Sequence, residues 1–194
     1  MVPVRVTNDG DAVLDVRAEP TALASFTEAL YRLGFRAAGT SAEEHQHRWV
    51  RGDASIDVLI PRHVGPRAAA RQGVSGGTTV QIPGGQAALD RAEPLLMRVG
   101  EAAGVIRRPT LQGAIALKAA AYHTPDSLRE RHLADVAILA TLVRPADRVG
   151  DGLTNTERRR ISRVIAAIES RPDVVRAVAG WQAGLARLRV AITK

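Results

Sequence analysis

The sequence predicts an α/β (α+β) fold, with a strand-rich module over residues 1–103 and a helical module over 104–194. Three observations predict it. Residues 4–16 alternate and carry β-branched side chains. Two further short alternating runs flank Gly52-Asp53. From Pro109 onward, apolar residues recur at helical spacing with helix start signals.

The elements follow in order. Residues 4–16 read as a strand, weakened at Gly10. Residues 20–34 read as a helix with Pro20 near its start, an apolar stripe of Leu23, Phe26, Leu30 and Leu33, and Gly34 at its end. Residues 47–51 and 54–60 read as a hairpin turning at Gly52-Asp53. Residues 61–77 are rich in Gly, Pro and Arg and read as a loop. A strand over 78–82, a turn at Pro83-Gly84-Gly85, a short helix over 86–91 and a strand over 95–99 complete the module. Helices are expected over 109–122, 125–143 and 154–169, with one or two more within 172–192. Thr154 and Glu157 stand three apart at the start of the third, a capping-box signature. The two modules are expected to join near Gly104, and no internal repeat or low-complexity tract interrupts them.

Composition narrows the function. Hydrophobic residues make up 45% of the 194, enough for a core, whereas aromatics are 3%, too few for base-stacking platforms. Lys and Arg number 27 against 20 acidic residues, a net charge of +7 carried almost wholly by arginine. GC-rich codons account for arginine over lysine but not for the excess, which favours an anionic partner such as RNA or nucleotide. The absence of cysteine excludes disulfide and thiolate chemistry. No apolar run approaches a membrane span, so a soluble, cytoplasmic protein without membrane contact is expected.

The chemistry-bearing residues form an ordered set. Asp9 and Asp11 are two apart on a strand and therefore share a face. Asp57 sits between Ile56 and Val58 inside another strand, where a carboxylate needs a partner or a metal. A third carboxylate beside an acidic pair makes an oxygen site suited to Mg²⁺ and, with two such ions, to phosphoryl or nucleotidyl transfer. The ordinary alternative is polar residues at the end of an edge strand. Lys118 follows on an Ala/Leu helix, as a solvated lysine or as a point charge on phosphates. Arg131 and Asp135 stand four apart on the next helix, which on spacing alone reads as a surface ion pair; the functional alternative is that Asp135 orients Lys118 or Arg131 toward a nucleotide. His45, His47 and Glu44 read as strand-edge residues rather than a metal site. Gly76-Gly77 and Gly84-Gly85-Gln86 read as loop and turn, and Arg107-Arg108 and Arg158-Arg159-Arg160 as solvated faces that could also grip an RNA backbone.

Taken in order, Thr7-Asn8-Asp9-Gly10-Asp11, Ile56-Asp57-Val58, Leu117-Lys118-Ala119 and Arg131 through Asp135 resemble the AbiEii/MenT-type nucleotidyltransferase toxins over Thr7 to about Leu139. The resemblance implies a polymerase-β-like core with a mixed sheet, followed by the helical domain. It implies Asp9, Asp11 and Asp57 as ligands of a two-Mg²⁺ site, with Asp57 able to help deprotonate the attacking hydroxyl. It implies Lys118 on the phosphates of a nucleoside triphosphate, with Thr7 and Arg131 also at the nucleotide, Asp135 as an essential partner in the helical domain, and Thr7 as a position that can be phosphorylated. It further implies transfer of a nucleotide to the 3′ acceptor end of tRNA and neutralisation by a cognate antitoxin protein. Two other expectations stand beside it: a small-molecule transferase of the aminoglycoside type, and a truncated, non-catalytic partner-binding domain.

The family carries a Gly-Gly or Gly-Ser turn before its first acidic strand, and here only Met1 to Arg5 precede that strand. The expectation is therefore that Met1 is internal to a longer protein. A longer N-terminal form should transfer nucleotide faster than this one, and equal rates in a side-by-side assay would reject the expectation.

Overall fold

A computed structural model describes residues 9–41, 44–124 and 129–193. The described residues fall into two compact units, one within Arg5–Gln86 and the other within Ala87–Lys194. Together they are mixed α/β, with a mixed sheet in the first unit and a hairpin and helices in the second. No helix among the described residues is long and apolar enough to cross a membrane.

The first unit contains β1 (Asp9–Val13), α1 (Ala22–Arg32), β2 (Arg36–Ala37), β3 (Arg48–Arg51), β4 (Ala54–Pro61), α2 (Pro66–Ala69) and β5 (Val80–Ile82). β4 is the central strand. β1 runs parallel to it on one side; β3, antiparallel, and then β5, parallel, share the other, and β2 extends the sheet beyond β3. Period-2 alternation divides β4 between two faces. Val58 and Ile60 enter a core with Trp49, Val16, Phe35 and the α1 residues Leu23 and Leu30, while Ile56 packs at its margin. Ser55, Asp57 and Leu59 are thereby committed to the opposite face.

α1 matches the expected helix, but its stripe is shifted. Leu33 lies beyond the last turn and is exposed, whereas Thr27 is buried between Leu23 and Leu30. The Thr27 hydroxyl donates to the Leu23 carbonyl at 2.7 Å and accepts the Val74 amide at 2.9 Å, so a buried polar group is satisfied while anchoring the 73–77 loop. The hairpin between β3 and β4 turns at Gly52-Asp53 as expected, with Gly52 at φ +56°.

The second unit begins earlier than the expected junction. After α3 (Gly85–Asp90), β6 (Ala92–Val99) and β7 (Ala102–Pro109) form an antiparallel hairpin where only a strand over 95–99 is expected. Its root is tied to the helices. The Thr110 amide donates to the Arg91 carbonyl at 2.9 Å, and the Arg91 guanidinium reaches Glu157 at 3.1 Å and the Gly152 carbonyl at 2.9 Å. The division between compact units thus falls at Gln86/Ala87, in place of 103/104.

Among the described residues, four α-helices follow: α4 (Leu111–Tyr122), α5 (Arg129–Thr141), α6 (Asn155–Ser170) and α7 (Trp181–Thr193). Ile115, Leu133, Val136, Ile161, Ile165 and Leu188 fill their common core. Thr110 rather than Pro109 starts α4, its hydroxyl accepting the Gly113 amide. The capping box of α6 forms as expected between Thr154 and Glu157.

Helices α5 and α7 cross closely at Gly184, where an added Cβ would lie 2.8 Å from the Ala140 carbonyl carbon and from the Thr141 nitrogen. Both atoms are backbone and cannot swing aside. Gly184→Ala gains about 1 kcal/mol of helix propensity but incurs an overpacking cost of about 1–3 kcal/mol. The variant should be less stable than wild type in urea unfolding; equal or greater stability would contradict this packing.

Candidate functional site

The parallel register of β1 and β4 sets Asp11 opposite Asp57 and Asp9 opposite Ser55. Paired residues of neighbouring strands point to one face, and so do residues two apart. Asp9, Asp11 and Asp57 therefore share the sheet face opposite the α1 core. Neighbouring strands stand about 5 Å apart and alternate residues on a strand about 7 Å apart. Like charges opposite one another on a sheet repel, so this face requires a cation.

The chain supplies one. β3 pairs with β4 so that Arg48 stands opposite Asp57. Its Nε donates to Asp57 Oδ1 at 2.8 Å and its terminal nitrogen to Oδ2 at 2.7 Å, a two-pronged fork. The Asp57 side chain is 16% exposed and that of Arg48 51% exposed, so the carboxylate is the fixed member. The fork and then the charge of Asp57 raise the pKa of Arg48, and Asp9 and Asp11 add attraction of the same sign. The compensation that a carboxylate between Ile56 and Val58 demands is thus met by Arg48. The hairpin itself carries the signal for this residue: a two-residue turn at 52–53 pairs 51 with 54 and hence 48 with 57.

As donors, three carboxylates suit a hard divalent ion. Their side chains are not closed into a cage, the Asp57 oxygens being turned to Arg48. Among the described residues, no three His, Cys, Asp or Glu groups are gathered to hold a metal as they stand. Thr7 lies outside the described residues.

The second unit carries the rest of the expected set. Lys118 on α4 meets Asp135 on α5 at 2.8 Å, with both side chains largely covered. Arg131 is exposed, and the carboxylate four residues on is bound to Lys118; the expected surface pair of Arg131 with Asp135 gives way to a link between helices. Burial pushes the Asp135 carboxyl up, but the His132 ring and the Lys118 ammonium pull it down more strongly, to about 2. His132 Nδ1 is 3.9 Å away, too far for a hydrogen bond, so Lys118 is the direct partner. His132 is buried one turn before Asp135, and the i,i+3 spacing is the sequence signal for it.

The remaining motifs resolve structurally. His45 bonds Thr78 Oγ1 through its Nδ1 at 2.9 Å. Gly73 and Gly76 spend their amides within their own turn, on the Gly77 and Gly73 carbonyls. Arg108 pairs with Glu93 at 2.9 Å. Arg158 corrects the expectation of a solvated triplet: its guanidinium turns inward to the carbonyls of Gly150, at 2.7 Å, and of Ile192. Arg159 stays exposed.

No protein family, curated protein or solved structure matches this chain. Its function rests on the residues themselves.

The lowered Asp135 pKa has a signed consequence. A carboxyl held below its ordinary 3.8 stabilises the fold above that pH and loses the contribution as pH falls toward about 2. Wild type should exceed Asp135→Asn in unfolding free energy at pH 5, and the gap should shrink by about 2 kcal/mol by pH 2. Urea titrations at the two pH values check this; a gap independent of pH would contradict it.

Proposed function

We propose that this protein is a Mg²⁺-dependent nucleotidyltransferase that uses a nucleoside triphosphate to modify the 3′ acceptor end of tRNA, as the toxin of a toxin–antitoxin pair. The observation that carries the reading is the register of β1 and β4, which lines up Asp9, Asp11 and Asp57 on one sheet face. These three are the residues to hold divalent metal, and a polymerase-β-like core is the fold that this arrangement favours. Bound there, the metal would supply charge neutralisation and polarisation for in-line displacement at a phosphorus.

The protein's own groups have separable tasks. Asp9 and Asp11 present oxygens from the exposed part of β1. Asp57 adds a fixed carboxylate from β4. The Lys118 ammonium, steered by Asp135, is the point charge for the phosphates of the nucleotide. The arginine excess, a net charge of +7, suits a polyanionic acceptor such as tRNA.

One observation favours a second reading. The fork from Arg48 to Asp57 neutralises a would-be ligand from within the chain, which suits a non-catalytic domain that binds a partner protein such as the antitoxin.

Incubating the protein with labelled nucleoside triphosphates, Mg²⁺ and total RNA separates these readings. Label should appear on tRNA, and Asp11→Asn should lower it by about 100-fold or more while circular dichroism stays unchanged. Lys118→Ala should lower it by about 10- to 100-fold. Label confined to added aminoglycosides would move the assignment to a small-molecule transferase. No label on any acceptor would leave the partner-binding reading.

A further inference from the structure

We propose that two copies of this chain form a two-fold dimer by pairing their β7 edges, with Val105 at the centre. The inference concerns the second unit and stands apart from the metal-binding reading.

The β6–β7 hairpin exposes much apolar surface. Its two strands make a two-stranded sheet among the described residues. Every residue of β7 is exposed. Leu96 is 75% exposed and Val105, directly opposite, 65%; Met97, Val99 and Ile106 are exposed as well. A lone two-stranded ribbon is marginal in water and gains stability from further strands. An open edge is where a further strand adds.

The ladder shows which edge is open. The Thr110 amide donates to the Arg91 carbonyl at 2.9 Å, so residues 91 and 110 turn their backbone groups inward, toward each other. Alternation from that pair turns the backbone groups of Ala92, Pro94, Leu96 and Arg98 outward on β6, and those of Ala103, Val105, Arg107 and Pro109 outward on β7. The β6 edge is interrupted: Pro94 has no N–H, and the Arg107 guanidinium occupies the Ala92 carbonyl. The β7 edge offers three outward amides in succession, at Ala103, Val105 and Arg107.

That edge is complementary to itself. Antiparallel pairing of two β7 strands through all three amides sets Val105 opposite its own copy, Ala103 opposite Arg107, Gly104 opposite Ile106 and Ala102 opposite Arg108. Each large side chain then meets a small one, and the central pair is β-branched, a favourable cross-strand contact. No like charges stand opposite: both arginines face alanine, and Arg108 is already paired with Glu93 at 2.9 Å. Leu96 and Val105 of the two copies line up as one apolar band across four strands. Gly104 inside a strand gains a reason, as room for Ile106 of the second copy. This self-matching selects a second copy as the occupant, and the interrupted β6 edges stop the assembly at two.

Sedimentation equilibrium of the full chain over a concentration series tests this. Wild type should reach twice the chain mass. Val105→Lys and Val105→Glu each set like charges against each other at the two-fold and should stay at the chain mass, with circular dichroism unchanged. An equimolar mixture of the two should recover twice the chain mass, because opposite charges then meet. The chain has no cysteine, so Val105→Cys supplies a single thiol. Cα atoms of such a pair stand about 5.5 Å apart, within reach of a disulfide across the two-fold. Mild oxidation should therefore give a covalent dimer, which carries the test should the charged variants fail to fold. The proposal is overturned by a wild type that stays at the chain mass throughout or assembles beyond two. It is equally overturned by a dimer that survives both charged substitutions, by a mixture that stays at the chain mass, or by a Val105→Cys chain that remains single on oxidation.

Discussion

The constraint on which the candidate site depends is the register of β1 against β4. It is set by hydrophobic burial, not by the charges. β4 sends Val58 and Ile60 into the core under α1, and a one-residue slip in pairing would turn a neighbour's side chains to the wrong face. Because that register holds, Asp11 faces Asp57, and Asp9 follows two residues away on the same side. The core on one face and the carboxylates on the other are two outcomes of a single alternation. β3, joined through a two-residue turn, adds Arg48 to the same row by the same rule.

Three buried or half-buried carboxylates, one in the first unit and two in the second, are met by a cation from a neighbouring element. Asp57 has Arg48, Glu157 has Arg91, and Asp135 has Lys118. The roles differ. For Glu157, burial pushes the carboxyl up, but the Thr154 backbone and hydroxyl bonds and then the Arg91 charge outweigh it and leave the pKa lowered. That pair fastens a hairpin root to a helix start and is structural. Lys118 and Asp135 link α4 to α5 and leave the ammonium partly exposed, which suits either a strut or a phosphate contact. Arg48 is the one whose removal bears directly on the acidic face.

Much of the fold was legible in the sequence. The 52–53 turn, α1 and the capped start of α6 carried local signals that tertiary packing left intact. The β6–β7 hairpin was not legible, because its strands lie mostly in solvent and show no buried alternation. Leu96 and Val105 face each other across it and are both exposed. Pro94 and Gly104 further mask the strands as breakers. Leu33 belongs to the helical stripe by spacing but falls past the last turn. Within the site, the shared face of Asp9 and Asp11 followed from period two alone, whereas the pairing of Asp57 with Arg48 required counting register across the turn. The sequence left open whether Asp135 partners Lys118 or Arg131, since the choice depends on how two helices cross.

The central claim is that three carboxylates on two adjacent strands converge on one divalent ion. Anomalous diffraction from crystals grown with Mn²⁺ tests it most directly. The account predicts a manganese peak within ligand distance of Asp9, Asp11 and Asp57, with the Arg48 fork opened. A manganese-soaked crystal with no peak on that face, and with Arg48 still closed on Asp57, would contradict it.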